Sequence, residues 1–333
     1  MKSVLVTGGA GYIGSHTIIE LLNDGYDVVS IDNFSNSSPS VFNQIFKLTG
    51  KKIKNYNINL CDFKKLQLFC KDKKFDAIIH FAAFKAVGES VLNPLKYYNN
   101  NISSLLGALI IARSCKVSSF IYSSSAAIYD SKGKAPFSER SAIDPASPYG
   151  MTKKIGEEIL FDFFQNSPSF KVLILRYFNP AGAHPSILLG EKSKGVPNNL
   201  VPIITSFVKN KKTFSVFGNT YKTKDGTCIR DYIHVVDVAH AHVLSLKYLE
   251  NQKSNFCDVF NIGTGKGTSV LETIKSFEKV NGIKANFKYD KKRPGDVPIL
   301  FADIKKIQKV LNFKPKYDIS DMLKTAWEWE KKK

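Results

Sequence analysis

The chain of 333 residues has few cysteines, methionines and tryptophans, and far fewer acidic than basic side chains. No apolar run approaches the ~20 residues that a membrane-spanning helix needs, which argues against a transmembrane protein. The five cysteines are odd in number and widely spaced without a C-x-x-C motif, which disfavours a disulfide framework or a metal site. No basic region followed by an apolar stretch precedes the first predicted strand, so we expect no signal peptide. These absences predict a globular protein of a reducing, cytoplasmic compartment, with no membrane or metal partner.

The shortage of acidic residues gives the chain a formal charge of +19, from 48 Lys and Arg against 29 Asp and Glu. A basic chain suggests nucleic acid as a partner. The lysines occur, however, as scattered pairs such as Lys51-Lys52 and Lys211-Lys212, and no zinc-finger or RNA-recognition signature is present. We therefore expect a solvated, lysine-rich surface, no nucleic-acid partner, and a charge that suits an anionic small ligand.

Short apolar runs alternate with helix-period segments in the first half of the chain. This pattern predicts βαβ units and a parallel sheet with helices on both faces, which together give a doubly wound, Rossmann-type α/β fold. The predicted strands are 2–7, 27–31, 53–60, 76–82, 119–123 and 171–177, and the predicted helices are 13–22, 94–113 and 149–164.

After Tyr177 this alternation ends. Residues 178–199 are rich in Gly, Pro and Asn and are predicted to form a loop. Short helices and strands are expected at 200–209, 214–217, 235–250, 257–262, 269–280, 285–289 and 303–311. We therefore predict two domains, 1–178 and 179–333, of which the second is a smaller α/β domain, with a cleft between them.

A glycine-rich turn follows the first predicted strand. Gly8, Gly11 and Gly14 form the motif G-x-x-G-x-x-G, and a helix is predicted directly after it. Glycine permits a tight bend, lets the backbone approach a pyrophosphate, and lets the helix pack close to the sheet. The helix N-terminus adds N–H groups and a positive dipole end for the phosphates. In this strand–turn–helix context the motif predicts a dinucleotide site.

Asp32 ends the second predicted strand, 18 residues after Gly14. An acidic side chain at this position accepts hydrogen bonds from the adenosine ribose and repels a 2′-phosphate. The residues that follow, Asn33, Phe34, Ser35 and Asn36, include no Arg that would attract such a phosphate. We therefore predict NAD rather than NADP as the cofactor.

Three further side chains predict acid–base chemistry. One predicted strand runs into Ser125, and Tyr149 and Lys153 follow four apart at the start of a predicted helix, where they share one face. A phenol with a reference pKa of ~10 is a poor base, but a nearby ammonium ion or nicotinamide cation lowers that pKa. A Tyr149 phenolate would take a proton from a sugar hydroxyl while hydride leaves to NAD, and Ser125 would hold the same oxygen.

Through these two motifs, G-x-x-G-x-x-G and Y-x-x-x-K, the chain resembles the extended short-chain dehydrogenase/reductase superfamily. Longer strings resemble its UDP-glucose 4-epimerase family over residues 2 to about 330, and they are Val6–Thr17, Lys85–Ser90, Arg176–Pro185, Pro197–Leu200, Asp225–Thr227 and Arg230–Val235. The resemblance implies an isomerase of galactose metabolism, with tightly bound NAD, that interconverts UDP-glucose and UDP-galactose. It also implies an NAD-binding first domain, a UDP-sugar-binding second domain, and a homodimer formed through helices near 94–113 and 149–164.

The resemblance further implies a mechanism. Tyr149 takes the proton of the sugar 4-hydroxyl, and C4 passes hydride to NAD. The resulting 4-keto sugar turns about its pyrophosphate link and receives the hydride on its other face. Lys153 lowers the pKa of Tyr149 and contacts the nicotinamide ribose, while Ser125 positions the 4-oxygen.

Binding positions follow from the resemblance as well. The cofactor positions are Gly8, Gly11, Tyr12, Ile13, Gly14, Asp32, Asn33, Phe34, Ser35, Asn36, Ser37, Asn59, Leu60, Phe81, Ala82, Ala83, Lys85, Asn100, Ser125, Tyr149, Lys153, Tyr177 and Phe178. The substrate positions are Lys85, Ser125, Tyr149, Asn179, Asn199, Leu200, Val216, Phe217, Arg230, Arg293, Asp296 and Leu300. Val216 and Phe217 match a uracil contact. Arg230 and Arg293 match a clamp on the diphosphate, whose oxygens suit a planar guanidinium fork.

Three positions depart from the family's pattern. Asn59 stands where Asp is usual near adenine, and Asp130 stands where Gly is usual, a change for which the sequence offers no account. Leu300 stands at a gate position that is Tyr in some members and Cys in others. A small residue at the gate goes with N-acetylated sugars, so the sequence leaves open whether UDP-N-acetylhexosamines are also substrates.

Other functions compete with this one. The alternative enzyme is another NAD-dependent sugar-nucleotide epimerase or a 4,6-dehydratase of the same superfamily. A dehydratase typically has Asp-Glu after Thr where this chain has Ser125-Ala126-Ala127, so elimination of water would lack its proton donors. A non-catalytic dinucleotide-binding regulator would need neither Tyr149 nor Lys153. The Gly263–Ser269 segment lacks P-loop spacing and is predicted to be a turn before a helix with a Thr or Ser N-cap.

Overall fold

The computed structural model describes residues 1–192, 195, 197–253, 255–293 and 296–333. Its contacts divide the chain into two compact units. The first unit comprises Met1–Ile128, Ser147–Arg176 and Ala239–Phe260, and the second comprises Tyr129–Ala146, Tyr177–Val238 and Asn261–Lys333. The predicted two-domain division at residue 178 stays a prediction. The contact-based units separate two residues earlier and in addition exchange the segments 129–146 and 239–260.

The first unit is built on a seven-stranded sheet in the order β11-β6-β5-β4-β1-β2-β3. Its strands are β1 Ser3–Thr7, β2 Asp27–Ile31, β3 Lys54–Tyr56, β4 Ala77–His80, β5 Ser119–Ser125, β6 Lys171–Tyr177 and β11 Phe256–Ile262. Its helices are α1 Tyr12–Asn23, α2 Ser40–Thr49, α3 Phe63–Phe69, α4 Val87–Leu92, α5 Pro94–Ser114 and α6 Pro148–Gln165, followed by most of α8 Val235–Glu250. A short 3₁₀ turn, Ala126–Ile128, follows β5.

The ladders that join β3, β2, β1, β4 and β5 are all parallel. Residues 4 to 7 of β1 and all four residues of β4 are buried, as expected for strands covered by helices on both faces. Leu5, Ile78, Phe120 and Ile174 of four strands share one core cluster with Leu105 of α5. The predicted doubly wound α/β fold is therefore confirmed.

Boundaries differ from the sequence prediction where pairing is weak. The third strand, predicted over 53–60, spans only Lys54–Tyr56, because β3 is the last strand in the sheet order and pairs with β2 alone. Three short helices, α2, α3 and α4, were not predicted. At the start of α3 the Asp62 side chain accepts the Lys65 N–H at 3.2 Å, an N-cap signal that the sequence does contain.

The second unit has short sheets around a separate core. Its strands are β7 Asn179–Ala181, β8 Phe214–Phe217, β9 Ile229–Arg230, β10 Tyr232–His234, β12 Thr268–Ser269, β13 Phe287–Asp290 and β14 Ile299–Leu300. Its helices are α7 Leu200–Lys209, α9 Val270–Asn281, α10 Lys305–Leu311 and α11 Ile319–Lys332. The sheets are β7 with β10, β8 with β13, and β9 between β12 and β14. Ile204, Phe214, Phe277, Leu323 and Trp327 lie in its core.

Most elements predicted after residue 177 are confirmed within two residues, including α7 at 200–209, β8 at 214–217 and the helix at 235–250. The predicted N-cap role of Ser269 is confirmed too, since its hydroxyl accepts the Glu272 N–H at 3.0 Å. The predicted loop 178–199 includes β7, and parts of it lie outside the described residues. Among the helices of the described residues, none is both long enough and apolar enough to cross a membrane.

Candidate active site

The glycine-rich turn joins β1 to α1. Gly8 has a φ of +71°, and a Cβ at this position would lie 2.8 Å from the backbone nitrogen of Ala82. A Cβ at Gly14 would collide with the carbonyl oxygen of Gly8. The N-cap of α1 is Gly11, which has no side chain to cap the helix. Gly8 and Gly14 thus need glycine, and together with Gly11 they leave a side-chain-free cradle at the positive end of α1 that fits a pyrophosphate.

Asp32 lies directly after β2 and is buried. Its carboxylate accepts the N–H of Ala10 at 2.9 Å, the N–H of Phe34 at 2.8 Å and the hydroxyl of Ser37 at 2.8 Å. The side chain therefore ties the glycine-rich turn to the loop after β2. A carboxylate has about four acceptor sites, so capacity remains for a ribose hydroxyl. The position fits the predicted adenosine contact.

Helix α6 places the predicted base. Its N-cap Ser147 accepts the Gly150 N–H at 3.1 Å, and Pro148 occupies the first helical position, where a missing N–H costs nothing. Tyr149 therefore lies in the first turn of α6, with Lys153 one turn further on the same face.

Ser125, Tyr149 and Lys153 lie together at the end of β5, and we call them the acid–base cluster. A hydrogen bond from the Ser125 side chain acts on the pKa of Tyr149 and lowers it. The Lys153 ammonium nitrogen lies 6.0 Å from the centre of the Tyr149 ring and donates to the Ser123 carbonyl oxygen at 2.6 Å. Lys153 is buried. The fold thus brings these three side chains together, as the sequence predicts.

The electrostatics of the acid–base cluster differ from the sequence prediction in one respect. Burial raises the pKa of Tyr149, although the Ser125 hydrogen bond opposes this effect. For the protein alone, the prediction that the pKa of Tyr149 is lowered is therefore wrong in direction. The physical reason is that the Tyr149 phenol is itself buried, and burial disfavours its charged form. Burial also lowers the pKa of Lys153, to about 7.

Other predicted cofactor positions of the first unit have these surroundings. The Lys85 ammonium nitrogen lies 5.6 Å from the centre of the Tyr12 ring. The Phe81 ring lies 4.8 Å from that of His242. The Asn59 side-chain oxygen accepts the Cys61 N–H at 3.1 Å and thereby stabilises the turn before α3. Ala82 follows β4, where the Ser104 hydroxyl donates to its carbonyl at 2.8 Å.

Sequence reasoning missed Asn101, a buried residue of α5 that organises this end of the sheet. Its amide accepts the Phe84 N–H at 2.8 Å and donates both to the Phe84 carbonyl at 3.0 Å and to the Thr152 hydroxyl at 3.1 Å. Asn100 donates to it at 3.0 Å. Asn101 thus joins the loop before Lys85 to the first turns of α6. No local pattern signals this role, because all three elements are distant in sequence.

In the second unit, the predicted diphosphate residue Arg230 lies on β9. Its guanidinium pairs with Asp296 at 2.9 Å and donates to the Val297 carbonyl at 2.7 Å. Leu300 is the register partner of Arg230 in the parallel β9–β14 ladder. The predicted substrate positions Arg230, Asp296 and Leu300 therefore lie side by side.

Arg293 and Phe217 form a second contact in the same unit, with the guanidinium carbon 4.0 Å from the ring centre. This stacking is typical of cation–π pairs. We call Phe217, Arg230, Arg293 and Asp296 the arginine cluster. Its aromatic ring and its planar cations suit a base and a diphosphate.

The remaining predicted substrate positions lie on or directly beside β7, β8 and α7. The Asn179 N–H donates to the Asp231 carbonyl at 2.9 Å, and the Asn199 side chain donates to Glu191 at 3.1 Å. Leu200 begins α7, and Val216 is buried in β8. Two predicted cofactor positions follow one another here: Tyr177 ends β6, and the Phe178 ring centre lies 6.3 Å from that of Tyr129.

A side-chain-free turn at a helix N-terminus, an acidic residue after β2, and a Tyr–Lys pair on the helix after β5 define a dinucleotide-dependent short-chain dehydrogenase/reductase. Comparison with known proteins narrows this class. A family model described as GDP-mannose 4,6 dehydratase matches residues 5–326. A protein of Arabidopsis thaliana named UDP-glucose 4-epimerase 2 is 45% identical over 98% of this chain and 95% of its own length. UDP-glucose 4-epimerase of Bacillus subtilis is 44% identical over 98% of this chain and 96% of its own.

Among solved structures, the UDP-glucose 4-epimerase of Bifidobacterium longum in complex with NAD+ and UDP superposes with a TM-score of 0.94. It is 42% identical and covers 99% of this chain and 98% of its own. The chain therefore belongs to the UDP-glucose 4-epimerase family of the extended short-chain dehydrogenase/reductase superfamily. The family and the enzyme class predicted from the sequence motifs are confirmed.

Proposed function

We propose that this protein interconverts UDP-glucose and UDP-galactose by inverting the sugar carbon C4. The observation that carries the proposal is the acid–base cluster at the end of β5, in the same unit as the glycine-rich turn and the buried Asp32. NAD, when bound, accepts hydride from C4 and returns it, so the overall reaction has no net redox change. Asp32 would accept hydrogen bonds from the adenosine ribose hydroxyls, and the N-terminal end of α1 would hold the pyrophosphate.

Tyr149 removes the proton of the 4-hydroxyl, and the C4–H electron pair leaves as hydride, so that the sugar becomes a 4-ketone. The Ser125 hydroxyl holds the 4-oxygen, and Lys153 favours the phenolate when it is protonated. The ketone is reduced on its other face, and Tyr149 then returns the proton. The pKa of Tyr149 is raised in the protein alone, and the positive charge that NAD would supply at this site would favour the phenolate.

The arginine cluster binds the nucleotide part of the substrate in this proposal. Arg230 offers a charged fork of N–H donors, and the Asp296 carboxylate and Val297 carbonyl fix its orientation. Phe217, with Arg293 stacked on it, contacts the uracil base. The excess of 48 basic over 29 acidic residues also favours a dianionic ligand.

A 4,6-dehydratase is the second candidate, since the matched family model carries that description. The 3₁₀ turn after Ser125 reads Ala126-Ala127-Ile128, and Ala126 and Ile128 are buried apolar residues. A proton donor for elimination of water at C5 and C6 is therefore missing from the positions where a dehydratase needs it.

The test is to incubate the purified protein with UDP-galactose without added NAD. We expect UDP-glucose to form, and we expect Tyr149→Phe to lower kcat at least about 10³-fold while the protein keeps its bound NAD. The conservative change keeps the ring and removes only the proton acceptor. Formation of a 4-keto-6-deoxy sugar would identify a dehydratase, and full turnover by Tyr149→Phe would refute the assignment of the base.

We further propose a homodimer formed through α5 and α6. The supporting observation is a set of exposed apolar side chains on α4, α5 and α6, which are Val91, Leu92, Leu95, Leu106 and Phe161. Exposed apolar groups in this number on neighbouring helices are typical of subunit interfaces. Sedimentation should give about twice the 37.2 kDa chain mass, and Leu95→Asp should weaken the association. A single species of chain mass would contradict the proposal.

A cytoplasmic location is the last part of the proposal. None of the cysteines in the described part of the chain forms a disulfide bond, and two of them are only half-buried, which fits a reducing compartment. Fractionation of cells that express a tagged chain tests it, and recovery with a secreted or membrane fraction would contradict it.

A further inference from the structure

Three consecutive serines at the end of β5 each contact a different residue of α6. The Ser125 side chain bonds to Tyr149, and the Ser123 carbonyl accepts from Lys153 at 2.6 Å. Between them, the Ser124 hydroxyl donates to Glu157 at 2.5 Å. Tyr149, Lys153 and Glu157 are spaced by four residues and so share one face of α6. Glu157 thus makes the third contact between β5 and α6. The other two contacts are made by Tyr149 and Lys153 of the acid–base cluster.

Glu157 is a buried carboxylate with a buried partner. Arg176 of β6 donates to it through two nitrogens, Nε at 3.0 Å and a terminal nitrogen at 2.7 Å, and both side chains are at most 5% exposed. A bidentate pair fixes the position of the carboxylate as well as its charge. A buried ion pair is expensive to form, so it is weak evidence of a role in stability alone. This argues that the placement of Glu157 serves the residues beside it.

The charged and titratable groups around Lys153 come from three strands and from α6 itself. His80 of β4 is buried and, through burial and the nearby Lys153, has its pKa lowered to about 3, so it is neutral. On β5, the Tyr122 ring centre lies 5.0 Å from the Lys153 nitrogen. Tyr149 lies one turn before Lys153, and Glu157, paired with Arg176 of β6, lies one turn after it.

Among these groups, Glu157 is the one that supports a charge on Lys153. Burial lowers the pKa of Lys153 to about 7, and the Glu157 carboxylate acts in the opposite direction and raises it. The fraction of Lys153 that is protonated near neutral pH therefore depends on the Glu157 charge.

We propose that Glu157 is a positioning residue for the epimerisation: it fixes α6 in register with the end of β5 and keeps Lys153 as an ammonium ion beside Tyr149. This inference rests on the proposed function. It adds to the acid–base cluster a residue that touches neither substrate nor cofactor and that acts through Lys153.

The test compares Glu157→Gln with Glu158→Gln in protein purified with its cofactor. Glu158 is the matched control, because it is the next residue of the same helix, is 61% exposed and pairs only loosely with Lys154 at 3.9 Å. Lysine labelled with ¹³C at Cε reports the protonation of each ammonium group by NMR, and loss of one signal in Lys153→Arg assigns Lys153. In Glu157→Gln we expect the Lys153 midpoint to fall by about one pH unit. Glu158→Gln should leave it unchanged.

Activity provides the second readout. The alkaline limb of the pH profile of kcat should move to lower pH in Glu157→Gln by the same amount. The KM for UDP-galactose should stay unchanged within about twofold. This readout separates the two roles, since a purely structural defect would not move a pH profile. An unchanged Lys153 midpoint, or equal shifts in both variants, overturns the inference. If Glu157→Gln fails to fold because Arg176 is left unpaired, the double variant Glu157→Gln with Arg176→Gln removes both charges. The Lys153 midpoint should be lower in the double variant than in Arg176→Gln alone, because the Arg176 cation is absent from both proteins. Equal midpoints in these two variants overturn the inference.

The NMR midpoint does not depend on turnover. If wild-type protein epimerises no UDP-hexose, the proposed function fails, and the midpoints still decide whether Glu157 controls the charge on Lys153.

Discussion

The two units use cations in opposite ways. Lys153 in the first unit is buried, donates to a backbone carbonyl, and has its pKa lowered to about 7. Arg230 in the second unit is partly exposed, and its guanidinium pairs with Asp296 at 2.9 Å. Desolvation makes the first cation titratable near neutral pH and therefore useful for proton chemistry. Ion pairing fixes the orientation of the second cation, which suits ligand binding. Both groups are cations, and their different surroundings suit one to proton transfer and the other to ligand binding.

Lys153→Met should have the largest effect. We expect kcat to fall about 10³-fold, because the Tyr149 phenolate loses its neighbouring cation. We also expect the free energy of unfolding at pH 7 to rise by at least about 2 kcal/mol, since each unit of pKa shift corresponds to ~1.4 kcal/mol and a buried ammonium ion is removed. Urea denaturation of both proteins measures this gain.

The pH dependence of that gain has a definite sign. The folded pKa of Lys153 lies below its unfolded value of 10.5, so the unfolded chain binds more protons between about pH 7 and 10.5. This group's contribution to stability therefore rises with pH across that window. The stability advantage of Lys153→Met should shrink from pH 7 to pH 9.5. A constant difference would show that the pKa of Lys153 is not lowered in the folded protein.

Arg230→Lys tests the other half of the comparison and should have a smaller effect. A lysine keeps the charge but cannot form the fork that Asp296 and the Val297 carbonyl hold in place. We expect KM for UDP-galactose to rise about 10- to 100-fold with kcat nearly unchanged, because the lost bonds are made equally in the ground and transition states. Steady-state kinetics measure both constants. A change in kcat alone would place Arg230 in the chemical step.

The sequence predicts the first unit's site well because its signals are local. The glycine spacing of residues 8 to 14, Asp32 at the end of a strand, and the four-residue spacing of Tyr149 and Lys153 all depend on neighbours in the chain. The observed β1, α1, β6 and α6 lie within about one residue of their predicted bounds. These short-range patterns fix which side chains share a face, and so they predict the acid–base cluster.

What the sequence does not predict depends on distant pairing and on solvation. Glu157 follows Lys153 by four residues, yet its partner Arg176 lies on β6, 19 residues away, and only the folded sheet makes them a buried pair. The raised pKa of Tyr149 likewise follows from burial, which no motif encodes. Helix α11 was missed although its Asp318 forms a capping box with Asp321, a pattern present in the sequence.

Substitutions of Leu300 should have the smallest effect, because they change the preference between substrates and leave both cations in place. Leu300 is the register partner of Arg230, so a change in its size alters the space beside the proposed diphosphate contact without removing a charge. We expect Leu300→Tyr to lower the kcat/KM ratio of UDP-N-acetylglucosamine to UDP-glucose about fivefold, roughly 1 kcal/mol, and Leu300→Ala to raise it by a similar factor. Paired assays with both substrates on the three proteins measure the ratio. The same ratio in all three would mean that the side chain at this position does not face the sugar, and the comparison between the two units would then rest on their cations alone.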